Sequence, residues 1–206
     1  MNGFFSQDGP LMTGMNTLTA VVELNILVLL CSLPIVTAGA SFAAMHYVIM
    51  QLREGTEGRI SRTFFRQFRA NLRTAVPIWL ILLVLFVFCA VDYRIVVQTE
   101  EIPDAFLVPI CLLGLLGASV AVYAFPLTAK FENTVRATLR NAAILAVAHL
   151  PGTVGMLLIH AACLLLFTMV PPLLPLLFLS GISLPAYLSS RIYWPVLKKL
   201  IPEEDA

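Results

Sequence analysis

The chain has 206 residues, 59% of them hydrophobic and 12% charged, with a formal net charge of +1. Mean hydropathy is +0.90. A water-soluble globule of this size has no interior large enough to hide so much apolar surface, so the bulk numbers exclude an ordinary soluble domain and point to a bilayer as the surrounding medium.

In chain order, a membrane span needs about 20 mainly apolar residues to cross roughly 30 Å of hydrocarbon. The first stretch of that kind covers residues 17–36. Ala38-Gly39-Ala40 resembles a signal-peptide cleavage site, but the first 16 residues carry no Lys or Arg and the apolar run is longer than a signal core, so cleavage is not expected. Residues 41–52 are apolar but only twelve long, and they follow Pro34 and Gly39. They are expected to bend away as a kinked continuation or an interfacial helix.

Further spans are expected at residues 75–97, 105–126, 152–170 and 174–197, with Pro171-Pro172 making a tight turn between the last two. The expected fold is therefore all-α, a single polytopic membrane domain over residues 1–206 with five transmembrane helices. The longest hydrophilic stretch, residues 53–74, is too short for a soluble catalytic or ligand-binding domain.

Basic residues gather on one side. Arg53, Arg59, Arg62, Arg66, Arg69 and Arg73 follow the first span; Lys130, Arg136 and Arg140 follow the third; Arg191, Lys198 and Lys199 lie at the C-terminal end. Only Arg94 of the 13 falls on the other side, near Glu100, Glu101 and Asp104. The positive-inside rule makes the basic side cytoplasmic. With five spans the N-terminus is then outside and the C-terminus in the cytoplasm.

Three segments are candidates for function. In residues 60–74, Arg62, Arg66, Arg69 and Arg73 share one helical stripe while Phe64, Phe65, Phe68 and Leu72 share another. That pattern suits a basic amphipathic helix lying in the headgroup plane, its rings in the acyl boundary and its guanidinium groups on anionic lipid, or a docking surface for a cytoplasmic partner. Nucleic acid is not an expected partner, since so short a patch carries no base-reading element.

The second candidate is the polar set inside the spans: Glu23, Asn25, Asp92, Arg94 and His160. Intramembrane ionisable groups often mark functional sites. At 1.5 Å per residue, Glu23 lies roughly 9 Å below the outer edge, and Asp92 and Arg94 lie near that edge. Arg94 is expected to pair with Glu23 or Asp92, either to orient two spans or to form an outer-leaflet solute site. His160 lies deeper and is expected to hydrogen-bond a neighbouring helix. The third candidate is the Pro34 break within residues 30–41, where Thr37, Gly39 and Ser41 can satisfy freed backbone groups and allow close helix contact.

Cys31, Cys89, Cys111 and Cys163 sit singly in apolar runs with no zinc or disulfide spacing and are read as packing residues. No nucleotide-binding, zinc-protease or serine-hydrolase motif is present, so neither cofactor, metal nor catalytic residues are expected. A partial repeat sets Phe64, Arg69, Ala70, Leu72, Arg73 and Ala75 against Phe131, Arg136, Ala137, Leu139, Arg140 and Ala142, 67 positions on.

The run at residues 24–48, with Asn25, Leu33-Pro34-Ile35 and Thr37-x-Gly39, followed by the Phe-rich basic helix ending in Asn71, resembles the YesL-like family. This is a bacterial integral-membrane family built on a domain of unknown function. Val28 stands where the family usually has an aromatic residue. The resemblance covers about residues 24–80 and implies a role around carbohydrate uptake, without supplying site residues. The expected function is thus a non-enzymatic membrane protein, accessory to or regulating sugar transporter subunits. The alternative is a small sugar carrier or channel subunit, working as a homodimer because five spans are few. An intramembrane enzyme needs two polar groups within hydrogen-bond reach, and the estimated depths keep Glu23 and His160 apart.

Overall fold

A computed structural model describes residues 10–56, 58–99 and 103–201. They form eight α-helices: α1 (Pro10–Cys31), α2 (Ala38–Glu54), α3 (Ile60–Gln98), α4 (Leu107–Lys130), α5 (Val135–Ala148), α6 (Leu150–Met169), α7 (Leu174–Ser180) and α8 (Ser183–Lys198). No strand occurs among the described residues. Five helical stretches are long and apolar enough to cross a bilayer: Gly14–Cys31, Ile35–Glu54, Ile60–Gln98, Asp104–Lys130 and Leu150–Met169. That is the expected number with a different membership, and the bent pair Pro171–Ser180 and Ser183–Lys198 makes up to six if it counts as one broken span.

The short apolar run at 41–52 is part of one of these stretches. It forms the middle of α2, which is largely buried inside the protein. Small residues explain this. Ala40, Ala43 and Ala44 are fully buried, and a Cβ on Gly39 would collide with the Trp79 Cβ and the Ala75 carbonyl, so the α2 and α3 backbones lie almost in contact. Pro34 ends α1 by removing a backbone donor. The Thr37 hydroxyl then donates to the carbonyls of Cys31 (2.7 Å) and Pro34 (2.8 Å), and Trp79 Nε1 donates to Ile35 O (2.7 Å). At its other end α2 stops at Gly55, whose φ of 66° few other residues adopt readily.

The last expected span, 174–197, is not one helix. Gly181 and Ile182 separate α7 from α8, and the two parts meet at 66°. Pro185 has no N–H to return to the Gly181 carbonyl, so an α-helix running through this point lacks a rung. The Pro171-Pro172 turn does form, as a short 3-10 segment joining α6 to α7.

Residues 60–74 are not a separate interfacial helix either. No Gly or Pro lies between Ile60 and Val76 to end the helix, and α3 runs unbroken for 39 residues. At 1.5 Å per residue that is about 58 Å, nearly twice the hydrocarbon thickness. The phenylalanine face is not in lipid. Phe64 is fully buried with Leu24, Val48 and Ile49, while Phe68 and Leu72 pack on Ala40, Ala43 and Ala75; only Phe65, at 43% exposure, turns outward.

The repeat has a structural counterpart. Both copies open a helix after a helical hairpin, with Ala75 and Ala142 fully buried and Arg69, Arg73, Arg136 and Arg140 exposed. The copies then diverge. α3 continues as a span, whereas α5 ends at His149 and α6 begins at Leu150-Pro151. All four cysteines are free thiols, with Cys89 buried and Cys111 exposed.

Candidate functional site

Two regions carry the polar chemistry: a basic face on the first half of α3 and a cavity among the helices. Arg62, Arg66, Arg69 and Arg73 are all exposed. The first three join Arg59 around a shallow depression that also takes in Thr63 and Phe65. None of the four makes an ion pair among the described residues, where the one such pair joins Lys198 to Glu54 at 3.3 Å. Because their helix is locked to α2 through Gly39, Ala43 and Ala75, the guanidinium groups stand on a rigid support.

Arg53 belongs to a different class. Its Nε donates to Ser190 Oγ (2.8 Å), its Nη2 donates to Tyr187 O (2.8 Å), and its guanidinium carbon sits 4.2 Å from the Tyr187 ring centre. It clamps the end of α2 to α8.

The expected intramembrane set Glu23, Asn25, Asp92 and Arg94 is not assembled. Arg94 and Glu23 are exposed, and no ion pair links Arg94 to either Glu23 or Asp92. The helices explain why: Glu23 lies on the outward side of α1, while Asp92 lines a separate cleft with Val96, Pro103 and Phe106 between α3 and α4. Asn25 is the exception, and its role is structural. It is fully buried, its Nδ2 donates to Phe178 O (2.8 Å), and its Oδ1 accepts from the backbone N–H of Ile182 and of Ser183, both at 3.0 Å. One amide side chain thereby serves both sides of the α7–α8 break, where backbone groups freed in a bilayer have no water to turn to. The Ser183 hydroxyl adds a bond to Val21 O (2.7 Å).

The cavity went unforeseen. It holds about 360 Å³ and is walled mainly by Phe42, Met45, Phe86, Phe125 and Ile182, from α2, α3, α4 and the α7–α8 break. Its polar groups are His46, His160, Ser189 and Tyr193. His46 is 8% exposed, and its Nδ1 meets the Tyr193 hydroxyl at 2.9 Å. His160 Nδ1 lies 2.8 Å from Met156 O in its own helix and 3.4 Å from Ser189 Oγ in α8. The contact with the neighbouring helix is therefore the longer of the two.

A carbonyl only accepts, so His160 Nδ1 carries the proton. It is then unable to take one from Ser189, and the pair is not a nucleophile and its base. The signal for this site was two histidines inside apolar runs. His46 lies in the short apolar run 41–52 and His160 in the fourth expected span.

Residues 21–93 match the family model described as Protein of unknown function, DUF624. This is the YesL-like family that the sequence resembles. The DUF624 segment takes in the second half of α1, all of α2 and most of α3, so it contains Asn25, His46, Arg53 and the arginine stripe. The other walls of the cavity, from α4 to α8, lie beyond it. No curated protein and no solved structure matches the chain.

Proposed function

We propose that this protein is a non-enzymatic accessory component of a carbohydrate uptake system in the bacterial cytoplasmic membrane. Its α3 arginine face engages acidic groups of transporter subunits at a surface of anionic lipid. One observation carries the reading: Arg62, Arg66, Arg69 and Arg73 are exposed, without ion pairs among the described residues, and held on a helix whose opposite face is spent on packing. Each near-surface arginine contributes about 1 kcal/mol with anionic lipid, and an acidic protein surface uses the same charges. The carbohydrate part of the reading rests on the family resemblance.

The basic face is taken as cytoplasmic by the positive-inside rule. The N-terminus is proposed on that same face, in place of the external position that five successive crossings imply. The support is the hairpin: α1 returns along α2, with Leu24 and Val28 packed against Met45, Val48 and Ile49, and α2 ends at Glu54, with five residues between it and Ile60, where α3 begins.

The dimeric sugar carrier is the weaker reading. A sugar presents many hydroxyls, and each one buried without a partner costs about 1–3 kcal/mol. The cavity offers four polar side chains in a wall that is otherwise apolar.

Mild-detergent purification from native membranes tests the proposal. Transporter subunits should co-purify with the wild-type chain and be lost when Arg62, Arg66, Arg69 and Arg73 are all replaced by Gln. Recovery of the wild-type chain alone, or equal recovery of partners with the Gln variant, overturns it.

A further inference from the structure

We infer that the cavity bounded by α2, α3, α4, α6 and α8 binds a single aliphatic chain ending in a hydroxyl or carboxyl group. The inference is independent of the arginine face.

The hydrogen-bond roles follow from the surroundings. Tyr193 is fully buried, and its hydroxyl makes one contact, to His46 Nδ1. A buried O–H without an acceptor is costly, so Tyr193 donates and Nδ1 accepts. The neutral His46 ring then carries its proton on Nε2. His160 is the opposite tautomer: Nδ1–H donates to Met156 O, leaving a lone pair on Nε2. Neither Nε2 has a partner among the described residues.

The cavity wall thus carries one N–H donor and one nitrogen acceptor, with the Ser189 hydroxyl 3.4 Å from Nδ1, the other nitrogen of the His160 ring. A ligand hydroxyl can accept from the first or donate to the second, and a carboxylic acid carries one oxygen suited to each. Phe42, Met45, Phe86, Phe125 and Ile182 suit an aliphatic body. The volume of about 360 Å³ is at the small end of ligand pockets, which run from about 300 to 1,000 Å³. That favours one chain over a two-chain phospholipid. A straight acyl chain and a branched isoprenoid chain share this chemistry.

Binding of radiolabelled oleic acid and of farnesol to the purified full-length chain in detergent tests the idea, with hexadecane and glucose as competitors. Saturable binding of one molecule per chain is expected. Hexadecane should compete about tenfold more weakly and glucose not at all. The tighter of the two probes identifies the chain type.

His160→Leu should weaken binding about tenfold, the worth of one hydrogen bond, while His160→Gln should retain it, because the Gln amide can supply an acceptor near the Nε2 position. Ala121→Phe, which fills the cavity from α4, should abolish binding in a chain that still elutes as a folded species. Unsaturable binding, hexadecane competing as well as oleic acid, or wild-type affinity in Ala121→Phe overturns the inference.

Discussion

Asn25 in α1 and Ser183 at the head of α8 are 158 positions apart, and the Ser183 amide donates to the Asn25 side-chain oxygen at 3.0 Å. With the further bonds to Ile182 N and Phe178 O, this contact makes a broken helix tolerable in lipid. Asn25→Leu should therefore cost about 3 kcal/mol by stranding one carbonyl and two N–H groups. Asn25→Asp keeps the acceptor for both N–H groups and should cost less. Thermal unfolding in detergent, followed by size exclusion, reads the order wild type, Asp, Leu. Equal melting of Leu and wild type contradicts the role assigned to Asn25.

Glycines separate tight packing from open surface. A Cβ at Gly39 meets Ala75 O at 2.5 Å and also strikes Trp79, whereas one at Gly114 meets nothing within 4 Å. Gly39→Ala should push α2 from α3 and cost about 2 kcal/mol, within the range for overpacking. Gly114→Ala, in the middle of α4, should be neutral or gain up to about 1 kcal/mol from helix propensity. The same melting assay compares them.

The arginines of residues 53–73 divide by partner. Arg53→Ala removes two hydrogen bonds and a stacked ring and should cost about 2 kcal/mol. Arg66→Gln and Arg69→Gln, on the exposed stripe, should leave the melting temperature unchanged while weakening retention on vesicles containing anionic lipid. A drop in stability for the stripe variants, or none for Arg53→Ala, reverses the assignment.

Topology is testable with single cysteines in a chain lacking Cys31, Cys89, Cys111 and Cys163. On intact cells, an impermeant maleimide should label Ala105→Cys, in the turn between α3 and α4, and spare Gly58→Cys. Gly14→Cys, in α1, should be spared as well. Labelling of Gly14→Cys places the N-terminus outside and removes the hairpin argument.

The sequence made the helical membrane class legible, along with the grouping of basic residues and the family resemblance of its first half, because those are sums or local patterns. The arginine and phenylalanine stripes of residues 60–74 are legible as a helix, but not its continuation through residue 98 as one span. The medium covering the phenylalanines was not legible, since α2 packs as well as acyl chains do. Residues 41–52 are legible as a helix bent away at Pro34 but not as the middle of a buried span, because the small side chains that mark close packing add little hydropathy. Gly181 and Pro185 together flagged the break in 174–197, a local signal masked by the apolar residues around them.

For the polar residues the division follows the same line. Sequence by itself identified Asn25 and His160 as polar groups in apolar segments and set the arginines on one helix face, since helical periodicity requires only near neighbours. Tertiary structure alone decided that Asn25 caps α7 and α8, that Arg94 lacks the expected partner, and that His46 and His160 line one cavity. A hydrogen bond acts over about 3 Å, and the groups that meet at that range come from helices more than a hundred residues apart.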